Sequence, residues 1–194
     1  MTFLSMLANA LLLVTAAFLL VAQDWRWRIG ALAVLYMGVF ALVLPSWPLE
    51  LAAVKLVAGW MAGTVLGFTR LSLEGRDANE ARPTGIPFRL VATGLVVLVV
   101  FGVAPGLSAW AAPISPAQAW GALLLISMGL LNLGLGAETL PSVLGLLTIL
   151  AGFEILYAAV EASTLVAGLL ATVNLGASLV GAYLLLAPSM EPSE

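Results

Sequence analysis

The sequence predicts an all-α, polytopic membrane bundle of about seven transmembrane helices, with its N-terminus outside and its C-terminus in the cytoplasm. Three observations carry that prediction. Of 194 residues, 62% are hydrophobic and only 9% charged, with a mean hydropathy of +1.13. Soluble domains run at roughly 45–50% apolar and about 25% charged, so there is too little charge here to clothe a water-soluble fold. The apolar residues fall in continuous runs near the roughly 20 residues that a hydrocarbon core of about 30 Å requires of a helix. Finally, six of the seven Lys and Arg residues fall in alternate loops.

Seven runs qualify. The first, residues 2–22, has no basic leader and no small-residue cleavage site after it, so it reads as a retained helix and not a cleaved signal. It closes at Gln23-Asp24-Trp25-Arg26-Trp27-Arg28. The second covers 29–44 and stops at Pro45-Ser46-Trp47-Pro48. The third covers 49–69. A polar linker, 70–89, precedes the fourth run, 90–103, which Ala104-Pro105-Gly106 is expected to end. An uncharged, Pro-rich connection reaches residue 116. The fifth, sixth and seventh runs cover 117–135, 140–160 and 162–187, and 188–194 form a polar tail. None alternates as a transmembrane β-strand would.

The domain plan that follows is a three-helix unit over 1–69, the linker over 70–89, a single helix and outer loop over 90–116, a second three-helix unit over 117–187, and the tail. Ala10-Leu11-Leu12-Leu13-Val14-Thr15 reads like Ala122-Leu123-Leu124-Leu125-Ile126-Ser127, which suggests a 3+1+3 duplication. Arg26 and Arg28 lie in one loop. Arg70, Arg76, Arg82 and Arg89 lie in the linker, on the same side of seven helices, and the opposite loops hold no Lys or Arg. By the positive-inside bias this sets the orientation and predicts a multi-pass protein of the cytoplasmic (inner) membrane. Trp25, Trp27, Trp47, Trp110 and Trp120 fall where an aromatic belt is expected, and Trp60 falls inside a span.

Several chemistries are excluded. There is no Cys and no His, so disulfides, thiolate nucleophiles, iron–sulfur clusters, His-ligated haem and ordinary zinc sites are out, and no cofactor or metal is expected. A net charge of -3 offers no footprint for nucleic acid. The last span has no Lys to form a retinal Schiff base. Gly134-Leu135-Gly136 follows no strand and is no nucleotide loop.

What remains is a small set of polar groups inside spans. An ionisable side chain at mid-membrane costs about 2.5–3.5 kcal/mol on insertion scales. Glu154, two-thirds along the sixth run, is too short to snorkel and is the leading candidate for proton transfer. Lys55 lies six residues into the third run, where snorkelling and function compete. Glu161, seven residues after Glu154, shares its helical face about 10 Å away, and reads either as a relay or as an interfacial charge. Asn132 and Asn174 are supporting polar groups, expected to act as interhelical hydrogen-bond glue. Ser127, Thr148 and Thr172 add hydroxyls. Small-residue spacings at Gly59/Gly63 and Gly176/Gly181 predict close helix approach.

The segment Gly152-Phe153-Glu154-Ile155-Leu156-Tyr157-Ala158-Ala159 resembles the K subunit of respiratory complex I, which carries a glutamate buried in its middle helix. The likeness covers about residues 117–186. The whole chain is similar to the hydrogenase-4 component E family of energy-converting hydrogenases, and Lys55 in Ala53-Val54-Lys55-Leu56 resembles a lysine in that family's third helix. The resemblance implies an accessory membrane subunit of a proton-translocating oxidoreductase, partnered by antiporter-like and quinone- or hydrogenase-module-like subunits, with redox chemistry in those partners. One departure stands out. The family's second buried glutamate is absent from Asn174-Leu175-Gly176-Ala177-Ser178. Two other readings fit the composition: a small 3+1+3 solute transporter, for which Pro116-Ala117-Gln118 is the only Pro–Gln pairing available, and a purely structural subunit of a respiratory or photosynthetic complex.

Overall fold

A computed structural model describes residues 3–73, 85–111, 113–136 and 138–190, with residues 189 and 190 described by backbone alone. Among them are seven α-helices and no strand: α1 (Phe3–Val21), α2 (Trp25–Val43), α3 (Leu49–Leu73), α4 (Ile86–Trp110), α5 (Pro116–Leu135), α6 (Thr139–Val160) and α7 (Thr164–Met190). All seven are long and apolar enough to cross a membrane. The protein is an all-α bundle with the features of a multi-pass membrane protein, and its outer surface of exposed Leu, Val and Phe side chains suits a lipid solvent.

Hydrogen bonds between helix ends define two faces of the bundle. At one end, Asn9 of α1 donates to the Ala117 carbonyl of α5 (3.2 Å). There too Gln118 donates to the Leu42 carbonyl (3.1 Å) and to Ser46 Oγ (2.8 Å) in the α2–α3 turn. At the other end, Arg89 of α4 donates to the Leu20 carbonyl (2.5 Å), and Arg28 of α2 to the Ala22 carbonyl (2.6 Å). Both arginines are buried and satisfy carbonyls that the last turn of α1 leaves free, where positive charge also meets the negative end of the helix dipole. Arg26 and Arg70 occupy this same end, called here the arginine-bearing end. Arg76 and Arg82 lie outside the described residues.

The first three helices and the last three pack against one another. α2 lies against α1 and α3, and α6 lies against α5 and α7. Across the halves, α1 packs on α5, α2 on α6 and α3 on α7. α4 packs mainly on α5 and is the helix least buried by its neighbours. The seam between α5 and α6 is the tightest. A Cβ added at Gly129 would stand 2.6 Å from the Gly145 carbonyl, and one at Gly152 would stand 2.8 Å from the Ala122 carbonyl. Only glycine lets these backbones touch.

Four local expectations need correction. α4 does not end at Ala104-Pro105-Gly106 but runs on to Trp110, with Pro105 inside it. Membrane helices accommodate proline because neighbouring groups take up the freed carbonyls, and the Pro105 side chain faces outward where it meets no other helix. The helices also intrude on the expected linker, since α3 continues to Leu73 and α4 begins at Ile86. Similarly, α7 passes Pro188 and ends at Met190. Finally, Trp47 does not belong to a lipid-facing belt. It is buried, and its indole N–H donates to the Glu161 carbonyl (2.8 Å). Trp27 and Trp110 are exposed, as a belt requires.

Candidate functional site

Lys55 lies six residues after the first residue of α3, and Glu154 lies six residues before the last residue of α6. At 1.5 Å per residue both are about 9 Å in from the same end of the bundle. The two helices run in opposite directions, so equal spacing from opposite termini brings the side chains to one depth. There the Lys55 ammonium pairs with Glu154 Oε1. Asn174, ten residues into α7, donates from Nδ2 to the same oxygen at 3.2 Å. The site therefore joins α3, α6 and α7.

All three side chains are withdrawn from the surface: Lys55 is 3% exposed, Glu154 1% and Asn174 0%. This excludes the snorkelling reading of Lys55. It does not snorkel to the interface, because Glu154 holds its ammonium inside the bundle. Each charge in isolation would be expelled from a membrane interior, and pairing offsets that cost only when the remaining donors and acceptors are also met. They are not all met by protein. Glu154 Oε2, Asn174 Oδ1 and Lys55 Nζ are buried and make no further hydrogen bond, and neither does the hydroxyl of Tyr36. Tyr36 packs its ring on Gly59, one turn along α3 from Lys55, where an added Cβ would lie 2.5 Å from the ring.

The backbone around Glu154 is held firmly. Gly152, two residues earlier, locks α6 against the Ala122 carbonyl and Ile126 of α5. Ala151, Ile155 and Ala158 around it are buried. The carboxylate thus projects from the most closely packed seam of the molecule toward the less buried pair α3 and α7.

The other candidates separate from this site. Glu161 is exposed and forms the C-cap of α6 with extended backbone angles (φ -142°, ψ 138°). The helix ends at Val160, so the seven-residue spacing from Glu154 does not place Glu161 on the same helical face. Asn132 donates to the Pro141 carbonyl (3.2 Å) and ties α5 to the start of α6, the packing role expected of it. Thr148 and Thr172 bond back to their own helices, the first buried and the second exposed, and Ser127 is half-buried. Gln118 completes a capping box with Ser115 and bridges to the α2–α3 turn, which accounts for its polar groups without a substrate. Sequence reasoning missed Tyr36 and Asn9. Both are polar atoms inside apolar runs, and that signal was available for each.

Among the described residues no group of three or more carboxylates converges on a metal position. A scan against family models found no match, and comparison with curated proteins and with solved structures returned no significant match either.

Proposed function

We propose that the chain is a membrane subunit of a proton-translocating assembly of the complex-I-like or energy-converting hydrogenase kind, and that Glu154 is its proton-loading carboxyl. The observation that carries this reading is the buried Lys55–Glu154 pair with Asn174 on the same oxygen. A carboxylate that is free on Oε2 and paired on Oε1 can take a proton, and doing so releases the Lys55 ammonium from its partner. Proton uptake at Glu154 and charge on α3 are then coupled through one contact. Asn174 stands where the resembling family has a second glutamate. It orients the Glu154 oxygen and carries no proton as an acid, so a second acidic step falls to a partner subunit. Lys55 tunes the pair. Glu161 and Asn132 have no part in it.

In this reading the arginine-bearing end faces the cytoplasm and the partners are antiporter-like and quinone- or hydrogenase-module-like membrane subunits. The chain supplies no redox group, and electron transfer belongs to those partners. The test is Glu154→Gln in the assembled complex in sealed vesicles. The expected result is normal assembly with proton translocation reduced by at least tenfold. Wild-type translocation in an assembled Glu154→Gln complex rules the role out and leaves the structural-subunit reading. Uptake of a solute by the chain alone would favour the transporter reading.

A further inference from the structure

The surroundings of the Lys55–Glu154 pair differ sharply along the bundle axis. Toward the nearer end, away from the arginines, the buried neighbours are apolar and small: Ala52 on α3, Ala158 on α6 and Ala167 on α7. Beyond them sits Trp47, 3% exposed, in the turn before α3. Its indole N–H reaches the Glu161 carbonyl at the end of α6. One aromatic side chain thus bridges the termini of the two helices that carry the pair.

Toward the arginine-bearing end the character changes. Four residues beyond Lys55, at Gly59, the ring of Tyr36 fills the seam, and its hydroxyl is buried without a hydrogen-bond partner. Four residues beyond Asn174, on the same face of α7, lies Ser178, which is 0% exposed. Its hydroxyl donates to the Leu175 carbonyl, which leaves the oxygen lone pairs free to accept. With Glu154 Oε2 and Asn174 Oδ1, these groups carry polar atoms one turn further toward the arginine-bearing end, whereas on the other side α3, α6 and α7 bury only alanines a turn or more beyond the pair. Buried polar groups that lack a protein partner are met by water, and leaving them unmet costs about 1–3 kcal/mol each.

We propose that the Lys55–Glu154–Asn174 site exchanges protons with the arginine-bearing face, along Tyr36 and Ser178, and that Trp47 seals it from the opposite face. The proposal rests on the reading of Glu154 as a proton-loading carboxyl and assigns the side from which it loads. Trp47 is a positioning residue that touches neither member of the pair by any hydrogen bond.

The chain has no cysteine, so a single introduced thiol reports its own accessibility. The experiment places Ser178→Cys in the full chain within its assembly in sealed vesicles and adds Ag+, similar in size to water, to one face at a time. Thiols still free are then counted on this chain with a maleimide after unfolding. Exposed Arg26→Cys and Glu161→Cys, at opposite ends, report the sidedness of the vesicles. Ag+ from the arginine-bearing face should abolish maleimide labelling of Ser178→Cys, and Ag+ from the opposite face should leave it intact. Adding Trp47→Ala should make the same thiol reachable from both faces. Asn174→Cys repeats the reading one turn nearer the pair, in case the first variant fails to insert. Blocking from the Glu161 face with Trp47 present, no blocking from either face, or no new access in Trp47→Ala each overturns the proposal. None of these readings depends on translocation by Glu154→Gln, so failure of the access route and failure of the proton-loading role are told apart.

Discussion

The front three helices (α1–α3) and the back three (α5–α7) differ in how they are held and in what they carry. In the back unit, α5 and α6 meet backbone to backbone at Gly129, Gly145 and Gly152. In the front unit the contacts run through side chains: Gly38 receives Leu12, and Gly59 receives Tyr36. The back unit holds the acid and the amide, Glu154 and Asn174, and the front unit holds the only cation placed among them, Lys55. Neither unit is electrically complete at this depth. The difference teaches that the site belongs to the joint between the halves, with a rigid carboxylate facing a cation on a helix held by softer contacts. Motion of α3 relative to α6 would change the charge state of the site, and protonation of Glu154 would loosen the joint.

The largest expected effect comes from breaking the joint on one side. Lys55→Met leaves a buried carboxylate without its cation and should cost about 3–5 kcal/mol of stability, the usual consequence of orphaning one member of a buried pair, measured by reversible unfolding in mixed micelles. The double variant Lys55→Met/Glu154→Gln should recover most of that loss while remaining inactive in translocation. If the double variant is as unstable as Lys55→Met alone, the pair is not what joins the halves.

The next effect separates the two kinds of seam. Gly145→Ala sets a Cβ 2.9 Å from the Gly129 carbonyl, where no side chain can yield, and should destabilise by about 1–3 kcal/mol. Gly38→Ala meets the end of the Leu12 side chain at 2.7 Å, and a leucine terminus can shift, so its cost should fall at or below the lower end of that range. Equal costs at the two positions would erase the contrast between backbone and side-chain seams. Gln118→Ala, which loses a capping box and a bridge to the α2–α3 turn, should cost about 1 kcal/mol. Asn132→Ala loses a single interhelical bond and should cost about 0.6 kcal/mol, the average for such bonds in a membrane. Neither should alter proton translocation.

Much of this was legible in the chain. Apolar run length located all seven helices, because a bilayer sets one minimum length for every crossing. Glu154 and Lys55 stood out separately, since a membrane charges heavily for each. That they meet could not be read, because the depth match depends on α3 and α6 running in opposite directions and on α3 packing at the α6–α7 face. The Gly59/Gly63 spacing was visible within one helix. The α5–α6 seam was not, as its glycines are divided between two helices and only their crossing shows the contact. Pro105 was misread as a stop by a rule drawn from soluble helices, whereas membrane helices such as α4 run through proline when the freed backbone groups are re-satisfied locally. Trp47 looks the same in sequence whether it faces lipid or plugs a seam. Only the partner carbonyl of Glu161 decides it.

The central claim is that Glu154, facing Lys55, gains and loses a proton as the assembly works. The most direct measurement is the infrared difference spectrum of the assembled complex between resting and turning-over states. The account predicts a carboxyl carbonyl band that changes with turnover and is missing from the otherwise intact Glu154→Gln complex. Difference spectra in which every carboxyl band survives the substitution would contradict it.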